Sequence, residues 1–216
     1  VNWALRDTDL TGDVIAMKSD PFDYRRWFIL TTTGLWRNDN LPADAAWTQV
    51  ADNATLLGNS TYRAYTLDMS ISRRGLIMIA AGRNIVYRSF DYGANWASAT
   101  MDGNAAEHST SGWWAGCGHI CISQQDNGVV WGGFRTATGT NPTICVSTDD
   151  GATWTPKLTF TLGAVRSAPV VNVPYMKAPN SANSSGSSQM IYFSHGMETG
   201  DAERMGYTLD GGANWT

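Results

Sequence analysis

The stretch SFDYGANW, residues 89–96, decides the fold because the chain repeats its pattern. Its serine, aspartate, glycine and tryptophan keep their offsets in STDDGATW at 147–154 and, with threonine for serine, in TLDGGANW at 208–215. We call this pattern the tryptophan turn. A worn copy lies within 27–47, where RND replaces the serine–aspartate pair, and the opening VNW resembles the tail of one more copy.

The spacing of the tryptophans gives the size of the repeated unit. Successive copies are 44, 49, 58 and 61 residues apart when measured between these tryptophans: Trp3, Trp47, Trp96, Trp154 and Trp215. Before each turn the chain reads as an apolar strand, a loop and a second short strand. A spacing of 44 to 61 residues corresponds to about four strands with their turns. Radially arranged four-stranded antiparallel sheets form a β-propeller. We therefore predict an all-β propeller with about four blades, approximately 4–47, 48–96, 97–154 and 155–215, in one domain over 1–216.

The composition agrees with a β protein that is rich in tight turns. Charged residues make up 16% of the chain and hydrophobic residues 43%, and there are 22 glycines. This composition argues against a helical or disordered chain. The net charge of −4 gives no reason to expect nucleic acid as a partner. The best apolar run, LIMIAA at 76–81, is far shorter than the roughly 20 residues of a membrane span, so no membrane insertion is expected.

The residue types of the tryptophan turn predict a structural role. An aspartate between two strands accepts hydrogen bonds from nearby backbone N–H groups, and a glycine supplies a positive φ. The tryptophan then starts the next strand and can wedge between neighbouring sheets. The residues predicted to do this are Ser89, Asp91, Gly93, Trp96, Ser147, Asp149, Gly151, Trp154, Thr208, Asp210, Gly212 and Trp215. Calcium is the rival interpretation of STDDG, but the regular oxygen ligands and terminal glutamate of an EF-hand loop are missing.

The cysteines favour buried thiols over a metal site. Cys117, Cys121 and Cys145 are odd in number, so they form at most one internal disulfide. CGHIC at 117–121 offers two thiols and His119, but the alternation of the sequence predicts a strand, in which residues four apart lie about 13 Å from each other. We therefore expect no metal and no cofactor.

The pattern S/T-x-D-x-G-x-x-W resembles the Asp-box, or BNR repeat, of sialidases, sortilin-type receptors, xyloglucanase-like glycoside hydrolases and photosystem assembly factors. The stretch VIAMKSDPFDYRRWFILTTTGLWRND, residues 14–39, resembles the strand–turn–strand lead-in of those repeats. The resemblance covers nearly the whole chain and implies a propeller. A closed propeller of this family usually has six or more blades, so we expect this stretch to belong to a longer polypeptide with further blades or domains. A complete four-bladed propeller is the second possibility.

The catalytic residues of the resembled enzymes do not carry over. The F/Y-R-I-P motif of sialidases has its nearest match in FRTA at 134–137, which lacks the proline. Xyloglucanase-like enzymes carry a catalytic aspartate in T-D-x-G-G-x-Y-R-W, and TTTGLWRND resembles that string with Thr32 or Thr33 in the place of the aspartate. A threonine cannot act as the acid or base that glycoside hydrolysis requires. We therefore expect no catalytic residues here. The alternative is a segment of a sialidase-like or xyloglucanase-like hydrolase whose catalytic residues lie mostly outside this stretch.

The loops indicate where a ligand would bind. In a four-stranded blade the tryptophan turns and the loops between first and second strands share one face, which we call the turn face. The loops between second and third strands and the connections between blades share the opposite face, which we call the loop face, and loops on a rigid scaffold commonly carry binding residues. The candidates there are Trp113, Trp114, Arg135, His195 and Arg204.

These candidates also have a simpler interpretation. Trp113 and Trp114 either stack on a sugar ring or belong to the core of the next strand, and the charged residues either bind a carboxylate or phosphate or remain solvated. The expected function is a recognition or structural module for a glycan or protein surface. Low charge and many Ser, Thr and Asn residues suit an extracellular, cell-surface or virion location.

Overall fold

A computed structural model describes residues 10–41, 46–52, 64–81, 85–100, 117–123, 127–135, 142–159, 170–172, 191–195 and 204–216. The regular structure in these segments is β-strand: β1 (Val14–Asp20), β2 (Asp23–Thr31), β3 (Gly34–Asn38), β4 (Thr48–Asp52), β5 (Ala64–Met69), β6 (Ile77–Ala81), β7 (Ile85–Ser89), β8 (Ala97–Thr100), β9 (Cys117–Ile122), β10 (Val130–Arg135), β11 (Pro142–Ser147), β12 (Thr155–Thr159), β13 (Val170–Asn172), β14 (Ile191–His195) and β15 (Arg204–Thr208). A search of these segments for a helix long and apolar enough to cross a membrane finds none.

The strands form four antiparallel sheets, each paired in chain order. Three sheets have four strands, namely β1–β4, β5–β8 and β9–β12, and the fourth contains β13–β15. In the fourth sheet Thr216 exchanges two backbone hydrogen bonds of 2.9 Å with Tyr207, so a further strand begins to pair there. We number the sheets as blades 1 to 4.

The blades follow one another with their first strands side by side. β1 contacts β5, β5 contacts β9, and β9 contacts β13, so the first strand of each blade lies innermost. This is the radial arrangement of a propeller. The prediction of an all-β propeller built from four-stranded antiparallel blades is confirmed.

The hydrogen-bonded sheets end later than the approximate blade boundaries at Trp47, Trp96 and Trp154. β8 follows Trp96 and pairs with β7 of the same sheet, and β4 and β12 behave in the same way. The difference arises because the tryptophan turn is a hairpin connection between a third and a fourth strand. The division into blades by sequence otherwise stays a prediction.

The core lies between neighbouring blades. β6 shows how: Ile77 and Ile79 belong to the apolar cluster that blade 2 shares with blade 1, whereas Met78 and Ala80 belong to the cluster shared with blade 3. All four side chains are buried. Because both faces of this strand are covered, the sequence LIMIAA is apolar throughout and does not alternate.

Candidate functional site

The tryptophan turn is built around the hydroxyl of its first residue. In blade 2 the Ser89 Oγ accepts hydrogen bonds from the backbone N–H of Asp91 at 3.3 Å and of Gly93 at 2.8 Å. The same hydroxyl donates to the Asp91 Oδ1 at 2.8 Å. Ser147 and Thr208 make the equivalent bonds in blades 3 and 4. The first residue of the turn is buried in all three copies, so its hydroxyl replaces the strand pairing that stops there.

The aspartate of each turn receives donors from the residue four positions later. The Asp91 carboxylate accepts the Asn95 backbone N–H at 2.8 Å and the Asn95 Nδ2 at 2.7 Å. Asp149 accepts the equivalent pair from Thr153, through N–H at 2.8 Å and Oγ1 at 2.6 Å. Asp210 accepts both groups of Asn214. Each carboxylate is therefore engaged by its own turn.

These donors change the acidity of the three carboxyls. The side chain of Asn95, followed by its backbone N–H and the Ser89 hydroxyl, lowers the pKa of Asp91 from 3.8 to about 2. The Thr153 side chain is the main cause that lowers the pKa of Asp149 to about 2. The Thr208 hydroxyl, followed by Asn214, lowers the pKa of Asp210 further still. A general acid has to be protonated near neutral pH, so these three aspartates are unsuited to that role.

The glycine and tryptophan of each turn press against the preceding blade. Gly93 and Gly151 have φ values of 90° and 78°, which other residues rarely adopt. A Cβ at Gly93 would lie 3.1 Å from the Val50 side chain of blade 1, and one at Gly151 would lie 3.4 Å from Met78 of blade 2. The glycines therefore serve both the turn and the blade contact.

Each turn tryptophan bonds back to its glycine and packs into the space between blades. Trp96 Nε1 donates to the Gly93 carbonyl at 3.0 Å, and the equivalent bonds in the other two turns measure 3.1 and 3.2 Å. Trp96 and Trp154 pack against the clusters between blades 1 and 2 and between blades 2 and 3. Trp215 meets Trp131 of blade 3 edge to face, with ring centroids 6.4 Å apart. Part of each indole stays exposed.

The worn copy in blade 1 keeps part of this network. Asn38 takes the position of Ser89 at the end of the third strand and is buried. Its Oδ1 accepts the Asn40 backbone N–H at 2.9 Å, as the Ser89 hydroxyl accepts that of Asp91. An amide oxygen can replace a hydroxyl as acceptor, so RND preserves the first bond of the turn.

On the loop face of blade 1, two threonines hold the tip of the β2–β3 hairpin. Thr32 Oγ1 accepts the Asp13 backbone N–H at 3.0 Å, and Thr33 Oγ1 donates to the Thr11 carbonyl at 2.7 Å. These are the residues that replace a catalytic aspartate in the resemblance to xyloglucanase-like enzymes. Their hydroxyls bind the segment that leads into β1.

Three of the predicted ligand-binding residues lie at loop-face ends of strands. Arg135 ends β10, His195 ends β14, and Arg204 begins β15. His195 and Arg204 are direct partners in the register of the β14–β15 hairpin. The structure describes these three through their backbone, whereas Trp113 and Trp114 lie outside the described residues. The assignment of all five to a binding site stays a prediction.

Two of the three cysteines are described with their side chains. Cys121 is partly buried and Cys145 is buried, and the Cys145 Sγ donates to the Gly132 carbonyl at 3.4 Å. In the part of the chain that the structure describes, no group of three or more His, Cys, Asp or Glu residues could hold a metal ion.

Sequence reasoning missed a set of arginines on the turn face. Arg37 and Arg88 each stand directly before the first residue of a turn, and each reaches the turn of the next blade. Arg26 in β2 and Arg73 in the loop between β5 and β6 reach the same two turns. The recurring position of Arg37 and Arg88 was the available signal, because it repeats with the motif.

The sequence matches no family model and no curated protein sequence. Among solved structures, the chain superposes on a GH74 xyloglucanase from Xanthomonas campestris with a TM-score of 0.62 and 16% identity, over 93% of this chain and 29% of that one. YCF48 from Cyanidioschyzon merolae gives a TM-score of 0.46 and 15% identity over 71% of this chain and 38% of that one. YCF48 bound to a D1 peptide gives a TM-score of 0.49 and 14% identity, over 95% of this chain and 82% of that one. The chain spans less than a third of the xyloglucanase, and that similarity shows the propeller fold alone.

Proposed function

We propose that this chain is a non-catalytic recognition module: an Asp-box propeller that binds a glycan or a protein surface through its loop face. The turn face supports this proposal, because the Asp-box carboxylates of Asp91, Asp149 and Asp210 are all engaged by donors of their own turns. A carboxylate whose oxygens already accept hydrogen bonds within the turn stabilises the scaffold and has little remaining hydrogen-bonding capacity for a ligand.

The observation that carries the proposal is the position of one histidine and two arginines among the candidates. His195 and Arg204 stand opposite each other in the backbone register of β14 and β15, at the loop-face end of blade 4. Arg135 ends β10 in blade 3, which contacts β13 of blade 4. Three side chains that suit carboxylate, phosphate or hydroxyl recognition thus start from neighbouring strand ends. Trp113 and Trp114, in the connection that leads into blade 3, complete the proposed site as stacking groups. We propose an extracellular, cell-surface or virion location for such a module.

Binding to a printed array of neutral and acidic oligosaccharides tests the proposal, with a pull-down of candidate surface proteins as its second arm. We expect Arg135→Ala/Arg204→Ala to lose most of the signal of the unmodified chain. We expect both charges to be solvated, so the unfolding midpoint of this variant should change little, since solvated charges contribute about 1 kcal/mol or less to folding.

The matched control removes two arginines from the other face. Arg25 and Arg74 are both exposed on the turn face, and Arg25→Ala/Arg74→Ala should bind as the unmodified chain does. Undiminished binding by the loop-face variant would contradict the proposal. Loss of binding in the control alone would move the site to the turn face.

A segment of a glycoside hydrolase is the second candidate, and the similarity in fold to the GH74 xyloglucanase favours testing it. Retaining and inverting glycosidases use a pair of carboxyl groups. Thr32 and Thr33 offer none, so the carboxylates would have to come from elsewhere, with Glu107, Glu198 and Glu203 as the glutamates of the sequence. We expect no release of reducing ends from xyloglucan and no release of sialic acid from sialyllactose. Release that disappears on Glu198→Gln or Glu203→Gln would establish this candidate instead.

A further inference from the structure

Two of the three tryptophan turns contain a residue in an unfavourable backbone conformation. Tyr92 and Asp150 follow the turn aspartate and have φ values of 60° and 55°. The left-handed region is costly for residues with a Cβ, and Gly211 stands at the same position in the third turn with φ 68°. Glycine would therefore be the cheaper choice at 92 and 150 unless their side chains contribute something in return.

Both residues receive an arginine from the preceding blade. Arg37 in β3 donates through Nη1 to the Tyr92 carbonyl at 3.2 Å. Arg88 in β7 occupies the equivalent position in blade 2 and donates to the Asp150 carbonyl at 3.3 Å and to the Asp149 carbonyl at 3.4 Å. Both bonds of Arg88 come from Nη1, which carries two N–H donors and so can serve two carbonyls that a tight turn presents side by side.

A second arginine then binds the side chain of the same residue. Arg26 lies over the Tyr92 ring, with 4.1 Å from Cζ to the ring centroid. Arg73 forms an ion pair with the Asp150 carboxylate. Asp150 is buried at 8% exposure, so this pair is protected from solvent on the aspartate side. The first junction is held by a cation–π contact and the second by an ion pair.

The junction between blades 3 and 4 has neither the arginine nor the strained residue. The position before the first turn residue is Val146 in blade 3, whose side chain cannot donate a hydrogen bond and is buried among apolar side chains. The receiving position in blade 4 is Gly211, which adopts the positive φ without strain. The arginine donor and the receiving residue with positive φ thus occur together at two junctions. At the third junction the two positions are occupied by Val146 and Gly211.

We propose that the arginine before the turn, a second arginine of the same blade and the residue after the turn aspartate of the next blade form a clamp that couples neighbouring blades on the turn face. The clamp joins Arg37 and Arg26 to Tyr92 and joins Arg88 and Arg73 to Asp150, and these contacts offset the backbone strain of the receiving residue. The proposal concerns the assembly of blades and does not depend on which ligand the loop face binds.

Substitution of Asp150 by glycine gives opposite outcomes with and without the clamp. Asp150→Gly relieves the strained φ and removes the carboxylate that Arg73 binds, whereas Tyr92→Gly would also remove a ring that packs against the core between blades 1 and 2. The clamp predicts that Asp150→Gly unfolds at a lower urea concentration than the unmodified chain. A midpoint that is unchanged or higher would overturn the proposal, because relief of strain alone stabilises the fold.

Hydrogen exchange followed by NMR shows whether each clamp acts at its own junction. The Tyr92 amide is bonded to the Gly75 carbonyl, and the Asp150 amide is bonded to the Gly128 carbonyl. Arg88→Ala should speed exchange of the Asp150 amide at least tenfold and leave that of Tyr92 unchanged. Arg37→Ala should do the reverse.

Arg25→Ala is the control, since Arg25 is paired with Asp23 within blade 1, and it should alter neither amide. If Arg88→Ala does not fold, Arg88→Lys keeps the charge but lacks the guanidinium Nη1 that bonds the two carbonyls, and it should still speed exchange at Asp150. Equal acceleration at both amides, or none, would refute the clamp.

Discussion

Asp91, Asp149 and Asp210 are exposed side chains whose pKa values are nevertheless strongly lowered. The cause is local, because the donors come from the same eight-residue turn and favour the ionised form. The three turns thus convert exposed carboxylates into fixed acceptors. An exposed aspartate with a lowered pKa in this chain therefore does not by itself indicate a catalytic site, because hydrogen bonds within the turn can account for the shift.

The lowered pKa values predict a loss of stability in acid. A group whose folded pKa lies below its unfolded value of 3.8 stabilises the fold above that pH, and the contribution disappears as pH falls towards the folded pKa near 2. We expect the urea midpoint of the unmodified chain to fall between about pH 4 and pH 2. The variant Asp91→Asn/Asp149→Asn/Asp210→Asn should start lower at pH 6 and depend less on pH in that window. Parallel pH profiles would contradict the account.

At the scale of single elements, two adjacent positions of the tryptophan turn both have positive φ but differ in the side chains that they accept. The first holds Tyr92, Asp150 or Gly211, and the second is glycine in all three turns. Gly93 has φ 90° and lies against Val50 of the preceding blade, so Gly93→Ala adds both strain and a close contact at 3.1 Å. We expect a loss of about 1–3 kcal/mol in the free energy of unfolding.

The control is Gly211→Asn, at the position where the other turns carry Tyr92 and Asp150 with positive φ. Asparagine tolerates the left-handed region, so this change should cost clearly less. Chemical denaturation of both variants decides the comparison. Equal losses would show that the contact with the preceding blade does not distinguish the two glycines.

The elements themselves were largely predictable from sequence, because the motif repeats and each copy stands at a hairpin. Asn38 was less predictable: the sequence marks RND as a worn copy but does not show that an asparagine performs the work of a serine. The sequence boundaries are drawn at the turn tryptophans, which places β8 after the boundary at Trp96, whereas hydrogen bonding keeps β8 with β7. The partners of Arg37 and Arg88 depend on distances between blades, which a single sequence does not contain.

At the scale of the whole molecule, the blades are joined through their turns. Gly93, Gly151 and Gly212 all approach the preceding blade, and the adjacent tryptophans pack into the same junctions. The repeats vary from 44 to 61 residues between tryptophans while the turn keeps its length. The turn is therefore constant while the connections around it differ in length from blade to blade.

The central claim is that the tryptophan turns hold neighbouring blades together, and urea unfolding of Trp154→Ala tests it most directly. Trp154 packs on the cluster between blades 2 and 3 and bonds to the Gly151 carbonyl at 3.1 Å. We expect the variant to lose about 3 kcal/mol in a single cooperative transition, near the lower end for large aromatic truncations because part of the indole is exposed. Trp154→Phe should keep most of the packing and lose about 1 kcal/mol with the hydrogen bond. An unchanged midpoint for Trp154→Ala would contradict the claim.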